Sequence, residues 1–191
     1  MSLLITKTRV PLSTSNLVVR PRLLSSIAAL LQPGCQVALI SAPAGFGKST
    51  MLAQWLQTVP GSFRSAWLSL DPADNNLIRF FSYIIAALQT ADPAIGENFS
   101  ALVESHPELT ADALVTYIIN QVAFSSRDIL LVIDDTHVIT SPEIHQAIGL
   151  LVKHLPSNLR LVLSGRIDPS LPLARLRVRG QLVEIRTADL R

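Results

Sequence analysis

Ser41-Ala42-Pro43-Ala44-Gly45-Phe46-Gly47-Lys48-Ser49-Thr50 is the stretch on which the reading of this chain turns. The apolar run Val37-Ala38-Leu39-Ile40 before it reads as a buried strand. Met51-Leu52-Ala53-Gln54-Trp55-Leu56 after it reads as a helix. Strand, glycine-rich turn, Lys-Ser/Thr and helix follow in the order of a P-loop. Glycines at 45 and 47 let the backbone bend until successive N–H groups face one point, an anion-binding nest. A helix beginning there adds its free N–H groups and positive dipole end. Lys48 brings a mobile charge to the β- and γ-phosphates of a nucleotide, and Ser49 a hydroxyl for Mg2+. Ala44, Gly45, Phe46, Gly47, Lys48, Ser49 and Thr50 are thus the expected cradle for ATP or ADP. The general pattern asks for Gly where this chain has Ala42; a Cβ is accepted there while φ stays negative.

A second acidic site lies further on. Ile129-Leu130-Leu131-Val132-Ile133-Asp134-Asp135 is an apolar run ending in two carboxylates, as in a parallel strand buried on both faces. In open α/β sheets, ligands bind at the C-terminal ends of the strands. Asp134 reads as the Walker B acid for Mg2+, and Asp135 as the carboxylate that orients the attacking water. Many P-loop ATPases have glutamate at the latter place; an aspartate is one methylene shorter, so hydrolysis is expected to be slow. The plain alternative is a pair of aspartates that end the strand and start a turn. Leu159 to Gly165 reads as another strand, and Arg166 at its tip as a sensor of the γ-phosphate or as a solvated surface arginine.

At 191 residues the chain suits one domain with a sizeable core, and 49% apolar against 16% charged residues excludes a disordered tail. A mean hydropathy of +0.39 is high for a free-standing domain and suggests apolar surface covered by a neighbour. No apolar run reaches the 18 residues or so of a membrane span, since Arg79 and Ser82 interrupt Leu77 to Leu88. No signal peptide is evident, and the single cysteine, Cys35, forms no intrachain disulfide, all consistent with the cytoplasm. A net charge of +2 is too weak for a nucleic-acid platform. The arginines clustered toward the end of the chain read as nucleotide-sensing and domain-contact residues, with Pro169 and Pro172 breaking up any basic helix. His106, His137, His145 and His154 show no metal-ligand spacing.

Residues 1–18 read as an extended arm and 19–191 as the P-loop domain. A helix follows Pro21; a strand covers Arg64–Leu70; Asp74 or Asn75 is expected to cap a helix running to about Ala91. Past a loop at Asp92–Asn98 come a helix over Ala111–Ala123, the Asp134 strand, a helix over Pro142–His154, the Arg166 strand and a last strand near Leu182–Ile185. Alternating β and α elements imply a parallel sheet covered on both faces.

With these residues laid out, the chain resembles the N-terminal ATPase domain of MalT-like, LuxR-type transcriptional activators, within the STAND class of signalling ATPases. The resemblance rests on Val19-Arg20-Pro21-Arg22-Leu23-Leu24, Ala42 to Thr50, Trp67-Leu68-Ser69-Leu70-Asp71 and Leu131 to His137. It rests also on Ser164-Gly165-Arg166 and Leu176 to Leu182. It implies a three-layer P-loop NTPase whose five-stranded parallel sheet has the order 5-1-4-3-2. It further implies Arg20 and Arg22 near the adenine, unless they are plain helix-start charges. ADP would hold such a regulator at rest, and inducer with ATP would permit self-association and promoter binding. Winged-helix, helical-repeat sensor and helix-turn-helix domains would follow Arg191, so the chain is expected to be a fragment, with DNA contacted only through the absent part. A self-contained ATPase and a non-catalytic module stabilised by nucleotide are the alternatives.

Overall fold

The computed structural model describes residues 3–11, 20–169, 171 and 173–190. In chain order the elements are α1 (Pro21–Ala28), β1 (Val37–Ser41), α2 (Lys48–Leu56), β2 (Phe63–Ser69), α3 (Leu77–Ala91) and α4 (Phe99–Ser105). They continue as α5 (Ala111–Phe124), β3 (Asp128–Asp134), α6 (Pro142–Lys153), β4 (Leu159–Gly165), α7 (Leu173–Val178) and β5 (Leu182–Arg186). All neighbouring strands are parallel, in the order β2-β3-β4-β1-β5. Read from the other edge this is 5-1-4-3-2, the order implied by the family resemblance.

The period of two along each strand splits the core into two layers. Val37, Leu39, Leu131, Ile133, Leu161 and Leu163 face α3, α5, α6 and α7. Ala38, Ile40, Trp67, Leu130, Val132 and Val162 face α1 and α2. Ile129 to Ile133 are all fully buried, as a strand covered on both faces requires. Helix starts follow local chemistry. Pro21 and Pro142 open α1 and α6, and Thr110 and Ser141 accept bonds from the first turns of α5 and α6.

Several local expectations are corrected. Asn76, not Asp74 or Asn75, caps α3, accepting from the Arg79 N–H. Asp71 and Asp74 instead form a reciprocal capping box on the 3-10 turn Pro72–Asn75. Residues 5–8 of the supposed extended arm form a 3-10 turn that buries Lys7. Arm residues 1–2 and 12–18, and Val19 after them, lie outside the described residues. Helix α4 stands where a loop region ends, and α7 forms directly after Pro172 despite the expectation that the prolines fragment this segment.

Candidate functional site

The site lies where β1, β3 and β4 end. Left-handed backbone at Gly45 (φ 81°) and Gly47 (φ 75°) turns the loop after β1, and Gly47 is the residue from which α2 starts. A Cβ added at either glycine would meet nothing within 4 Å, so backbone conformation and not space demands glycine there. Ala42 is buried and its φ is not positive, so the missing glycine leaves the loop intact. Its N–H donates to the Gly165 carbonyl at 3.3 Å, which ties the start of the loop to the tip of β4. Lys48, only 8% exposed, donates from Nζ to the carbonyls of Ala42 (2.7 Å) and Pro43 (3.0 Å). Its charge is thus held inside the loop's curve. Ser49 and Thr50 follow in the first turn of α2, both half-buried.

Asp134 ends β3 with 2% exposure, and its Oδ1 accepts the Asp135 N–H at 2.9 Å. Asp135 is the single non-glycine residue with positive φ (58°) among those described. That turn lifts its side chain off the strand, leaving it 46% exposed. Burial, and then the neighbouring Asp134, push its carboxyl above the ordinary aspartate value; His137, Lys48 and Arg166 pull against them. His137 Nδ1 lies 3.7 Å from Asp135 Oδ1, within ion-pair range but longer than a hydrogen bond, and it is buried without a hydrogen-bond partner. Burial holds the His137 ring below its usual value, outweighing the pull of Asp135, which keeps it neutral at pH 7. Thr136 Oγ1 donates to the Ser164 carbonyl at 3.0 Å and so binds this turn to β4. Arg166, just past β4, is exposed, and its charge bears on both Asp135 and His137.

Lys48, Asp134, Asp135 and Arg166 therefore lie together at the C-terminal ends of β1, β3 and β4. Arg20 and Arg22 stand beside the turn after β5. Arg20 Nη1 donates to the Leu190 carbonyl at 2.6 Å, and Arg22 lies 4.0 Å from Asp189. The sequence reading gave His137 and Ser164 no role in the site. Ser164 is fully buried and its Oγ has no hydrogen-bond partner, at the strand tip between the P-loop and the acidic strand. Both stand in stretches that carry the family resemblance, Leu131 to His137 and Ser164-Gly165-Arg166, and that was the available signal for them.

No group of three or more His, Cys, Asp or Glu able to hold a metal is present among the described residues. Mg2+ keeps water and phosphate oxygens and asks for only one or two protein oxygens, which Ser49 and Asp134 would supply. No helix among the described residues is long and apolar enough to cross a membrane.

Comparison with known proteins fits this geometry. Residues 16–164 match the family model described as an AAA ATPase domain. The chain is 39% identical over 180 residues to the HTH-type transcriptional regulator MalT of Serratia proteamaculans, and 37% identical to that of Cronobacter sakazakii. Each alignment takes in 94% of this chain and 19% of the relative, so the chain spans about a fifth of those regulators' length. Among solved structures, Cdc6p from Pyrobaculum aerophilum superposes with a TM-score of 0.61 at 19% identity, over 93% of this chain and 46% of that one. A Signal Transduction ATPase with Numerous Domains (STAND) protein with a tetratricopeptide repeat sensor, from Pyrococcus horikoshii, gives 0.53 at 14% identity, over 93% of this chain and 24% of that one. These two likenesses are likenesses of fold.

Proposed function

Because this chain belongs to the AAA ATPase domain family, we propose that it is the nucleotide switch of a MalT-like, LuxR-type transcriptional regulator. It binds ATP or ADP with Mg2+ and hydrolyses ATP slowly. The observation that carries this reading is the convergence of a left-handed glycine loop, a buried lysine and two aspartates at the ends of β1 and β3.

Lys48 exchanges its two loop carbonyls for phosphate oxygens, a stronger charge-assisted pair. The N–H groups around Gly45 and Gly47 and the start of α2 cradle the phosphates. Ser49 and Asp134 would hold Mg2+, which when bound would offset the negative charge of the phosphates. Asp135, displaced from the strand by its left-handed turn, accepts a hydrogen bond from the attacking water. Its short side chain keeps turnover low. Neutral His137 lies against it, and exposed Arg166 swings to the γ-phosphate. Arg20 and Arg22 border the adenine from the side of β5. The regulator part of the reading draws on the two MalT relatives. In that reading the ATP state self-associates in the cytoplasm, and DNA is contacted through another part of the protein.

ATP turnover with Mg2+, followed over many equivalents together with the nucleotide left bound, tests the reading. About one slow turnover with ADP retained is expected. Sustained turnover near ~10 s⁻¹, ordinary for metabolic enzymes, would overturn the switch in favour of a self-contained ATPase.

A further inference from the structure

The turn that carries Asp135 is held by a residue of a different element. Left-handed backbone at a non-glycine residue persists where surrounding contacts over-determine it. The Asp135 carbonyl accepts the Val138 N–H at 3.0 Å, and the Val138 carbonyl in turn accepts from Asn75 Nδ2 at 2.9 Å. Asn75 Oδ1 accepts the N–H groups of Thr140 (2.6 Å) and Ser141 (2.9 Å), and Ser141 caps α6. One amide side chain, 60 or more residues away in sequence, thus grips three successive points of the segment after the Walker B acids.

Asn75 is itself fixed from beneath. Its neighbour Asp74 is fully buried, and its carboxylate accepts from Lys7, from Arg79 Nε at 3.0 Å and from the Asp71 N–H at 2.9 Å. Lys7 also bonds Asp71 at 3.0 Å and lies 4.1 Å from the centre of the Tyr83 ring. The Tyr83 hydroxyl accepts the Leu4 N–H at 3.1 Å. Ion pairs this deep are stabilising only when fully satisfied, and this one is, by groups from three parts of the chain. His145, which contacts the Ile139 carbonyl at 3.0 Å, and Thr136, bonded to Ser164, hold the same segment from α6 and β4. These two side-chain bonds go to Ile139 and Ser164 and not to Val138.

We infer that Asn75 is a positioning residue for Asp135: its grip on Val138, Thr140 and Ser141 sets the turn that aims the carboxylate at the attacking water. This rests on the reading of Asp135 given above. The buried Lys7–Asp74 pair extends the support to the N-terminal turn, so residues near the start of the chain shape a site at the far end of β3.

The test uses the full 191-residue chain with Asn75→Ala and Asn75→Asp. It reads amide hydrogen exchange over residues 134–141, equilibrium affinity for ATP, and turnover at saturating Mg2+-ATP. Asn75→Ala is expected to raise exchange in this segment about tenfold or more and to slow turnover roughly tenfold to a hundredfold, with ATP affinity within about twofold. Asn75→Asp keeps the acceptor for Thr140 and Ser141 but loses the donor to Val138. It should protect residues 140–141 and still be slow. Unchanged exchange in Asn75→Ala, or turnover within about twofold of wild type while exchange rises, would overturn the inference. A wild-type chain without turnover would instead sink the ATPase reading, and exchange alone would then decide whether Asn75 holds the turn.

Discussion

Gly165→Ala is the substitution in which this geometry is most exposed to failure. Gly165 ends β4, pairs with Ser41 in register and offers its carbonyl to the Ala42 N–H. A Cβ built there lies 2.6 Å from Thr136 Oγ1, and 3.4 Å from both His137 N and Ile167 O. The hydroxyl has nowhere to go: Thr136 is 4% exposed and its Oγ1 is bonded to the Ser164 carbonyl at 3.0 Å. Overpacking of this kind costs about 1–3 kcal/mol. Displacing the hydroxyl forfeits a buried hydrogen bond of about 1 kcal/mol. The expected loss is therefore about 2–4 kcal/mol. It is read as a lower urea midpoint with an unchanged slope. Thr136→Ala removes the colliding atom, so the double mutant should recover at least about 1 kcal/mol relative to the sum of the singles. A loss below about 1 kcal/mol in Gly165→Ala, or strict additivity in the cycle, would refute the packing argument.

Three further outcomes are expected. Lys48→Ala should weaken ATP binding about thirtyfold or more, from at least ~2 kcal/mol for removing one member of a desolvated charge pair; unchanged affinity in a titration would end the P-loop assignment. Asp135→Asn should keep ATP affinity but slow hydrolysis, and should be more stable than wild type at pH 7. The raised carboxyl pKa means wild type is favoured below the ordinary aspartate value and loses that advantage as pH rises through the folded one. A loss of Mg2+-ATP binding would instead make Asp135 a metal-site residue. Glu184 is held at about 2, first by Arg177, which bonds it at 2.7 and 2.8 Å, and then by Arg186. Because its folded pKa is depressed, this stability is complete above about 4.5 and lost as pH falls toward about 2. With Arg177 half exposed, solvent screens much of this contribution, and Arg177→Gln should flatten the acid limb of a melting-temperature profile.

What the sequence made legible was whatever depends on short-range pattern. Ile129 to Ile133 announce a strand buried on both faces, and Gly45, Gly47 and Lys48 a phosphate loop, since backbone chemistry alone restricts what those residues do. The strand order was legible only through family resemblance. Pairing β4 between β1 and β3 is a long-range choice that no local period records. Helix α4 was missed because Asn98 gives it no side-chain cap, and α7 because prolines at 169 and 172 read as breakers although a proline just before a helix is compatible with its start. Asp74 looked like a helix cap because Asp is a good one. Its actual partner, Lys7, lies 67 residues away in sequence, and nothing local to either residue advertises the pairing. The same holds for Asn75 and for Ser164, whose surroundings are assembled by other elements.

The two edges of the sheet are guarded by different means, with a practical consequence for handling this chain. Along β5, Glu184 and Arg186 are engaged by Arg177 and Asp168, and a charged margin is a poor template for a foreign strand. The opposite margin, β2, carries Phe63, Ala66, Trp67 and Leu68, and against it packs the turn Ile5–Thr8, pinned by Lys7. Versions of the protein trimmed to begin at the first helix would strip that cover while leaving the nucleotide loop untouched. Such trimmed forms would be prone to aggregate through β2, so the first eleven residues belong in any version meant for solution work.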